Sequence, residues 1–268
     1  MKYLSRTICI FMMLALLACS KDEQQTVPDV EVSHLSVGTW NVGHFNSGSL
    51  GGYQKDDYAE AVIRWRDFVG SHKPDILNVE EWNVTFDKGG QLNALNEIIR
   101  PWYNNIYMEQ PRQSAWILNG IFTNYPVDPF SFRYFNLSQS AYYGLAMTII
   151  IDGHELDVLC GHIPWDSEYH ANGLQALKSE LRKHKTFIFL GDTNSTEEEQ
   201  LLFQNEEGYH LANPVDGQWL VTTGAGSSID NVITSSNITI SQVSVAPSGL
   251  YEGDHFPLFC NLEIQWKE

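Results

Sequence analysis

Asn41, Glu81, His162, Asp192, Asn194, Asp230 and the pair Asp254-His255 all stand at or beside the ends of apolar runs. Carboxylates and amides offer hard oxygen ligands and acceptors, and a histidine can carry a proton near neutral pH. One such placement is a common turn. The repetition reads as one polar site assembled from separated segments. The clearest case is Thr186 to Asn194, TFIFLGDTN. Phe187 to Leu190 is an unbroken apolar run, the pattern of a strand buried on both faces. It ends in Gly191-Asp192-Thr193-Asn194, which would be only a turn unless other segments bring partners to Asp192. Several other chemistries are excluded: the chain has no GxSxG elbow, no P-loop and no GxGxxG following a strand. It also lacks a CxxC or Cys/His spacing suited to structural zinc.

The elements that must position these residues follow from periodicity. His34 to Asn41 is β-prone. Tyr58, Val62, Trp65 and Val69 recur at helical spacing, and Lys73-Pro74-Asp75 stops that helix. A strand over Ile76–Val79 ends at Glu80-Glu81, and Leu92, Leu95, Ile98 and Ile99 mark a second helix. Ala115–Asn124 reads AWILNGIFTN and is followed by a turn at Tyr125-Pro126. Tyr142–Ile151 and Glu155–His162 read as a hairpin turning at Asp152-Gly153. A helix over Glu168–His184 leads back to the Thr186 strand, and Glu197–Asn205 is a short acidic helix. Ser228–Thr234, Ile238–Ala246 and Phe256–Ile264 are strands. Helices alternate with strands early and strands dominate late. That predicts an α/β fold, a four-layered α/β/β/α sandwich of two packed sheets with outer helices.

Lys2 and Arg6 precede an apolar stretch from Ile8 to Ala18, too short for a comfortable membrane span and suited to a signal peptide over residues 1–18. Leu16-Leu17-Ala18-Cys19 resembles the lipobox of bacterial lipoproteins, and Ser20-Lys21-Asp22-Glu23 resembles the acidic export tag of surface lipoproteins in the Bacteroidetes. The expectation is a lipidated Cys19, a polar tether over 19–33 and one domain over 34–268. The protein would then sit in the cell envelope as an outer-membrane lipoprotein, on the outer surface if the tag acts, held by a lipid anchor without spanning the bilayer. The formal net charge is −17 at pH 7. Such a surface repels polyanions and argues against tight duplex binding, which needs many Lys and Arg contacts to phosphate. Cys160 and Cys260 lie in apolar runs and read as small core residues, with their pairing left open.

The ordered pieces TWN (Thr39–Asn41), PDILNVEE (Pro74–Glu81), GIFTNYPV (Gly120–Val127), GHI (Gly161–Ile163), LGDTN (Leu190–Asn194), SIDNVI (Ser228–Ile233) and GDHFPL (Gly253–Leu258) resemble the endonuclease/exonuclease/phosphatase superfamily. Its members include deoxyribonuclease I, AP endonucleases, bacterial sphingomyelinases and inositol polyphosphate 5-phosphatases. The resemblance implies a hydrolase of phosphoester bonds that uses Mg2+ or Mn2+, since a hard divalent cation stabilises charge on phosphate oxygens. It makes Glu81 the main metal ligand with Asn41 beside it, and Asp254 a candidate for a second metal position. Glu80 falls where relatives often carry Gln and is expected to face the other side of the sheet. Asp192 would orient or deprotonate the attacking water, and Asn194 would hold a phosphate oxygen. His255 would contact the scissile phosphate with Asp230 fixing its ring, and His162 would donate from the opposite side. GHI points away from abasic-site repair. Thr193 and Asn231 depart from the bulky residue and the Tyr common at those places, which bears on pocket shape. The expected substrate is a small-molecule or lipid head-group phosphoester, with Trp165 as a contact. The alternatives are an extracellular nuclease of the deoxyribonuclease I type, with Leu181–Lys185 (LRKHK) as its basic strip, and a non-catalytic binding lipoprotein. No protein partner is evident.

Overall fold

The computed structural model describes residues 30–43, 58–83, 94–110, 117–137, 143–246 and 255–266. Strands β1 (Val32–Asn41), β2 (Ile76–Asn83), β3 (Asn105–Met108), β4 (Ile117–Thr123), β11 (Ile238–Val245) and β12 (Leu258–Gln265) form one sheet, in the order β11-β12-β1-β2-β4-β3. Strands β5 (Arg133–Asn136), β6 (Tyr143–Ile151), β7 (His154–Gly161), β8 (Phe187–Asp192), β9 (His210–Leu211) and β10 (Asp230–Thr234) form the other, in the order β5-β6-β7-β8-β10-β9. Helix α1 (Tyr58–His72) and a π-helical turn (Leu95–Ile99) cover the first sheet. Helices α2 (Ser167–Leu181) and α3 (Glu197–Glu207) cover the second. The α/β/β/α sandwich expected from the sequence is the architecture found.

Each sheet has one parallel pair at its centre, β1 with β2 and β7 with β8. Parallel neighbours need a crossover, and α1 and α2 supply it. The carboxyl ends of these four strands carry Asn41, the Glu80-Glu81 pair, His162 and Asp192. In open α/β sheets that is the end where sites form.

Alternation decides which side chains face the gap. On β8, Ile188 and Leu190 join the inter-sheet core while Phe187 and Phe189 pack outward against α2 and α3. That is why the run is apolar without a break. On β1, Leu35 and Val37 face the gap, so Thr39 and Asn41 follow on the same face. Trp40 faces outward and stacks on Trp65 of α1 at 4.5 Å. Cys160 and Cys260 are buried, unpaired core residues.

Boundaries moved where pairing extended an element. Strand β1 starts at Val32, not His34, because Val32 and Ser33 pair with Gln265 and Ile264, and Trp266 Nε1 donates to Ser33 Oγ at 2.9 Å. The expected helix around Leu92–Ile99 is only the short π-turn among the described residues. Caps match their sequences. Thr196 and Glu199 form a capping box on α3, and Gly208 ends it at φ 71°. Asp152 and Gly153, both at positive φ, turn the β6–β7 hairpin.

Gly191 is required by close approach: a Cβ there would lie 2.2 Å from Gly161 O and 2.8 Å from Glu80 Oε1. Gly191→Ala should destabilise the protein by about 1–3 kcal/mol, the usual cost of overpacking. Denaturant melts of the two proteins check this, and an unchanged midpoint would contradict the contact.

Candidate active site

Asp192 lies at the centre. It is 1% exposed on the last position of β8. Its Oδ1 accepts the Asn194 N–H at 2.8 Å, and its Oδ2 accepts from Asn41 Nδ2 at 3.1 Å. His162 Nε2 stands 3.5 Å from Oδ2 on one side, and His255 Nε2 stands 3.6 Å from it on the other. Burial holds the Asp192 carboxyl above the usual range. The charge of Asp230 adds to this, while His162, His255 and the Asn194 N–H counter it.

The two histidines are oriented differently. Asp230 is 0% exposed, and its Oδ2 accepts from His255 Nδ1 at 2.8 Å. That bond places the Nδ1 proton on the Asp230 side and turns Nε2 toward Asp192. On the other side, Asn194 Nδ2 donates to Ile163 O at 2.9 Å, which fixes the orientation of the amide. The same group meets His162 Nε2 at 2.9 Å. His162 Nδ1 faces Glu81 Oε1 at 3.7 Å. Asn194 sits at φ 46°, a left-handed position that Asn tolerates better than most residues.

Glu81 reaches this group only through an irregularity. Val79 and Trp82 both pack outward against α1, although they are three residues apart. A β-bulge lies between them, and Glu81 adopts φ 56°. Bulges of this kind re-aim side chains. Strict alternation would have sent Glu81 outward with Val79.

The same geometry corrects the expectation for Glu80. It does not face the other side of the sheet. It shares the inner face with Ile76 and Asn78 and is 0% exposed. Its Oε1 accepts from Asn78 Nδ2 at 2.7 Å and from the Asp192 N–H at 3.3 Å. Burial, then the charges of Asp192 and Asp230, raise its carboxyl well above the usual range. Asn78 was also missed: its amide links Thr39 Oγ1 at 3.0 Å and Leu190 O at 3.3 Å. The signal was present as polar residues at 78 and 80 alternating with Leu77 and Val79. A polar strand face ordinarily meets water, and here it lies in the gap because α1 covers the apolar one.

The two departures from the family pattern are structural. Thr193 Oγ1 donates to Ile229 O at 2.7 Å. Asn231 points away from the gap and bonds Gln200 Oε1 and Asn213 O, each at 2.7 Å. Asp254, Cys19 and Tyr142 lie outside the described residues. Trp165 is 72% exposed. Its segment is tied down by Ile163 N–H to Asp192 O at 2.9 Å and by His170 Nδ1 to Pro164 O at 2.9 Å.

The donors present suit a hard divalent cation. Asn41 Oδ1 accepts one bond, from Gly43 N–H at 2.9 Å, which leaves a second lone pair. Asp230 Oδ1 is buried without a hydrogen-bond partner among the described residues. In the described structure neither Asp192 nor Asp230 is paired with Lys or Arg; their ion-pair partners are the histidines. Asp192, Asp230 and His255 bring donor atoms within 4.8 Å of one another, a spacing an ion could use. The bond between Asp230 and His255 already occupies two of those donors, so we read them as a hydrogen-bonded pair. Asn41 and Glu81 suit the ion better.

This combination of fold and polar cluster is that of a phosphoester hydrolase. The model of the Endonuclease/Exonuclease/phosphatase family matches residues 38–255, and the chain belongs to that family. Solved structures share the fold. The endonuclease/exonuclease/phosphatase from Bacteroides vulgatus aligns with a TM-score of 0.66 at 12% identity, over 87% of this chain and 100% of that one. D. rerio TDP2 complexed with single strand DNA product aligns at 0.62 and 14%, over 86% and 99%. ANGEL2, a 2′,3′-cyclic phosphatase in complex with adenosine-2′,3′-vanadate, aligns at 0.65 and 11%, over 90% and 100%. No curated protein matches the chain.

Asp192→Ala and His255→Ala should each lower turnover of an activated phosphodiester by roughly 10²–10⁴-fold, the usual worth of a positioned acid or base, while circular dichroism stays unchanged. Near-parent turnover in either variant would place the chemistry elsewhere.

Proposed function

We propose that this protein is a divalent-metal-dependent phosphoesterase, with Mg2+ or Mn2+ held by Asn41 and Glu81, acting on small or lipid head-group phosphates. The observation that carries this reading is the Asp192 carboxylate set between two oriented histidines, one of them backed by Asp230 at 2.8 Å. Asp192 Oδ2 orients the attacking water and receives its proton. His255, with Nδ1 committed to Asp230, presents Nε2 to a phosphate oxygen. His162 and Asn194, bonded to each other at 2.9 Å, steady the phosphate from the other side. A bound divalent cation supplies positive charge to the phosphate oxygens as negative charge builds there. The intact, mutually bonded set supports an enzyme over a binding lipoprotein that has lost catalysis.

Charge supports the small-substrate reading over a nuclease. Three residues of the basic strip LRKHK are already paired with carboxylates. Arg182 bonds Glu207, Lys183 bonds Glu180, and His184 Nδ1 meets Asp157 Oδ2 at 2.7 Å. A phosphate backbone would have to displace those partners. The second reading, an extracellular nuclease, draws support from the shared fold with D. rerio TDP2, whose structure holds a single strand DNA product. A lipidated Cys19, a polar tether and an outer-membrane location on the cell surface complete the proposal. Among the described residues no helix is long and apolar enough to cross a membrane.

Two tests follow. Purified protein is incubated with supercoiled plasmid, phospholipid vesicles and small phosphodiesters, each with magnesium, with excess chelator and with Asp192→Ala as control. Phosphate-ester cleavage of the small or lipid substrates, lost in chelator and restored by Mg2+ or Mn2+, is expected. Plasmid nicking by the parent alone would make it a nuclease, and full activity in chelator would end the metal reading. Separately, Trp165→Ala should raise KM by roughly two- to tenfold with little change in kcat, the worth of one aromatic contact. An unchanged KM would remove Trp165 from the substrate site.

A further inference from the structure

Asp192 stands on one sheet, and Asn41 and Glu81 stand on the other. The working geometry therefore depends on how the sheets are held at this end of the gap. Apolar contacts below this level are non-directional and do not by themselves fix an offset. Among the described residues, directional ties that cross the gap at this end include His255 Nδ1 to Asp230 Oδ2 at 2.8 Å, Asn119 Nδ2 to Tyr143 O at 3.0 Å, Asn41 Nδ2 to Asp192 Oδ2 at 3.1 Å, Asn78 Nδ2 to Leu190 O at 3.3 Å, and Asp192 N–H to Glu80 Oε1 at 3.3 Å. Two of these run through Asn78 and Glu80, side chains that do no chemistry in the reading above. Only the Glu80 tie grips the main chain of Asp192 itself.

We propose that Glu80 is a positioning residue: its Oε1, planted on β2, holds the main-chain N–H of Asp192 on β8 and so sets the distance between the Asp192 carboxylate and the Asn41–Glu81 pair. This rests on the reading of Asp192 as the group that handles the attacking water. The carboxyl is itself oriented. Asn78 Nδ2 donates to the same Oε1 at 2.7 Å, and Asn78 is steadied by Thr39 Oγ1 at 3.0 Å. Gly191 leaves the space: a Cβ there would lie 2.8 Å from Oε1. The Asp192 N–H is buried, so losing its acceptor would leave an unsatisfied donor beside the reacting groups. The task needs an acceptor oxygen at the end of a side chain of this length. A glutamine amide supplies one, and a leucine of similar size does not.

The test uses the purified protein with Glu80→Gln, Glu80→Leu and Asp192→Ala. It reads kcat and KM on a small phosphodiester, and hydrogen exchange in the segment from Phe187 to Asn194. Glu80→Gln should keep kcat within about threefold of the parent. Glu80→Leu should lose about tenfold to a hundredfold in kcat, the scale of a small misplacement, with KM nearly constant. Amide exchange at Asp192 should quicken in the leucine variant and not in the glutamine variant. If Glu80→Leu does not fold, Asn78→Ala frees the same carboxyl and should move both readouts in the same direction by less. Parent-like kcat in Glu80→Leu overturns the proposal. So does a loss in Glu80→Gln as deep as in Glu80→Leu, which would mean that the charge itself acts. Lost turnover with unchanged exchange also overturns it. Full turnover in Asp192→Ala would instead sink the underlying reading, and the exchange arm would still decide whether the tie holds the strand.

Discussion

Glu80, Asp192 and Asp230 are buried together at one end of the gap between two sheets, and the rest of the site is arranged around the cost of placing them there. An ionised carboxylate moved out of water loses several kcal/mol of hydration, which only close partners offset. The protein supplies amides, main-chain N–H groups and imidazoles, with no Lys or Arg ion pair to Asp192 or Asp230 among the described residues. Such partners lower the cost without cancelling the charge, as the raised carboxyls of Glu80 and Asp192 show. Oxygen donors crowded in this way are suited to gaining a hard cation.

The fold makes that cluster possible by joining two half-structures of the same kind. Each sheet has a parallel pair, each pair has its crossover helix, and each delivers polar groups at its carboxyl ends. The halves then meet face to face, so donors from one satisfy acceptors from the other. Outer-layer packing keeps the register. Trp40 stacks on Trp65 beneath α1, and Phe187, Phe189 and Phe203 fill the layer beneath α2 and α3. A change in those outer layers would be felt at Asn41 and Asp192, which sit one residue along the same strands from buried outward positions or glycine.

Much of this was legible in the sequence, and the exceptions have physical causes. The long strands could be read from their apolar runs, α1 and α2 from apolar residues at helical spacing, and α3 from its acidic helix-forming composition. Strands β3, β5 and β9 were missed because a strand of two to four residues carries too few alternations to register. Asn41, His162, Asp192, Asn194, Asp230 and His255 were legible as polar residues at strand ends, and the structure brings them together. Glu80 was misplaced because the sequence shows alternation but not which face a helix will cover. The bulge that turns Glu81 inward is likewise silent in the sequence. Nothing in Val79-Glu80-Glu81-Trp82 says that two outward residues will sit three apart.

On the proposed reading, the charge pattern also limits what the substrate can be. The surface carries a strong net negative charge, −17 over the whole chain. The basic residues near α2 are engaged by Glu180, Glu206 and Glu207. A long polyanion would gain little from such a surface and would lose much by repulsion. A single phosphoester faces a different balance, because its charge is met locally by a cation and by imidazoles rather than by a basic track. Recognition must then come from the rest of the substrate. On that reading the segment behind Trp165, tied at Ile163, Pro164 and the Asp166 cap of α2, would hold an aromatic face toward the substrate. A membrane tether would act in the same direction, since it raises the local concentration of head groups without asking the protein for a cationic surface.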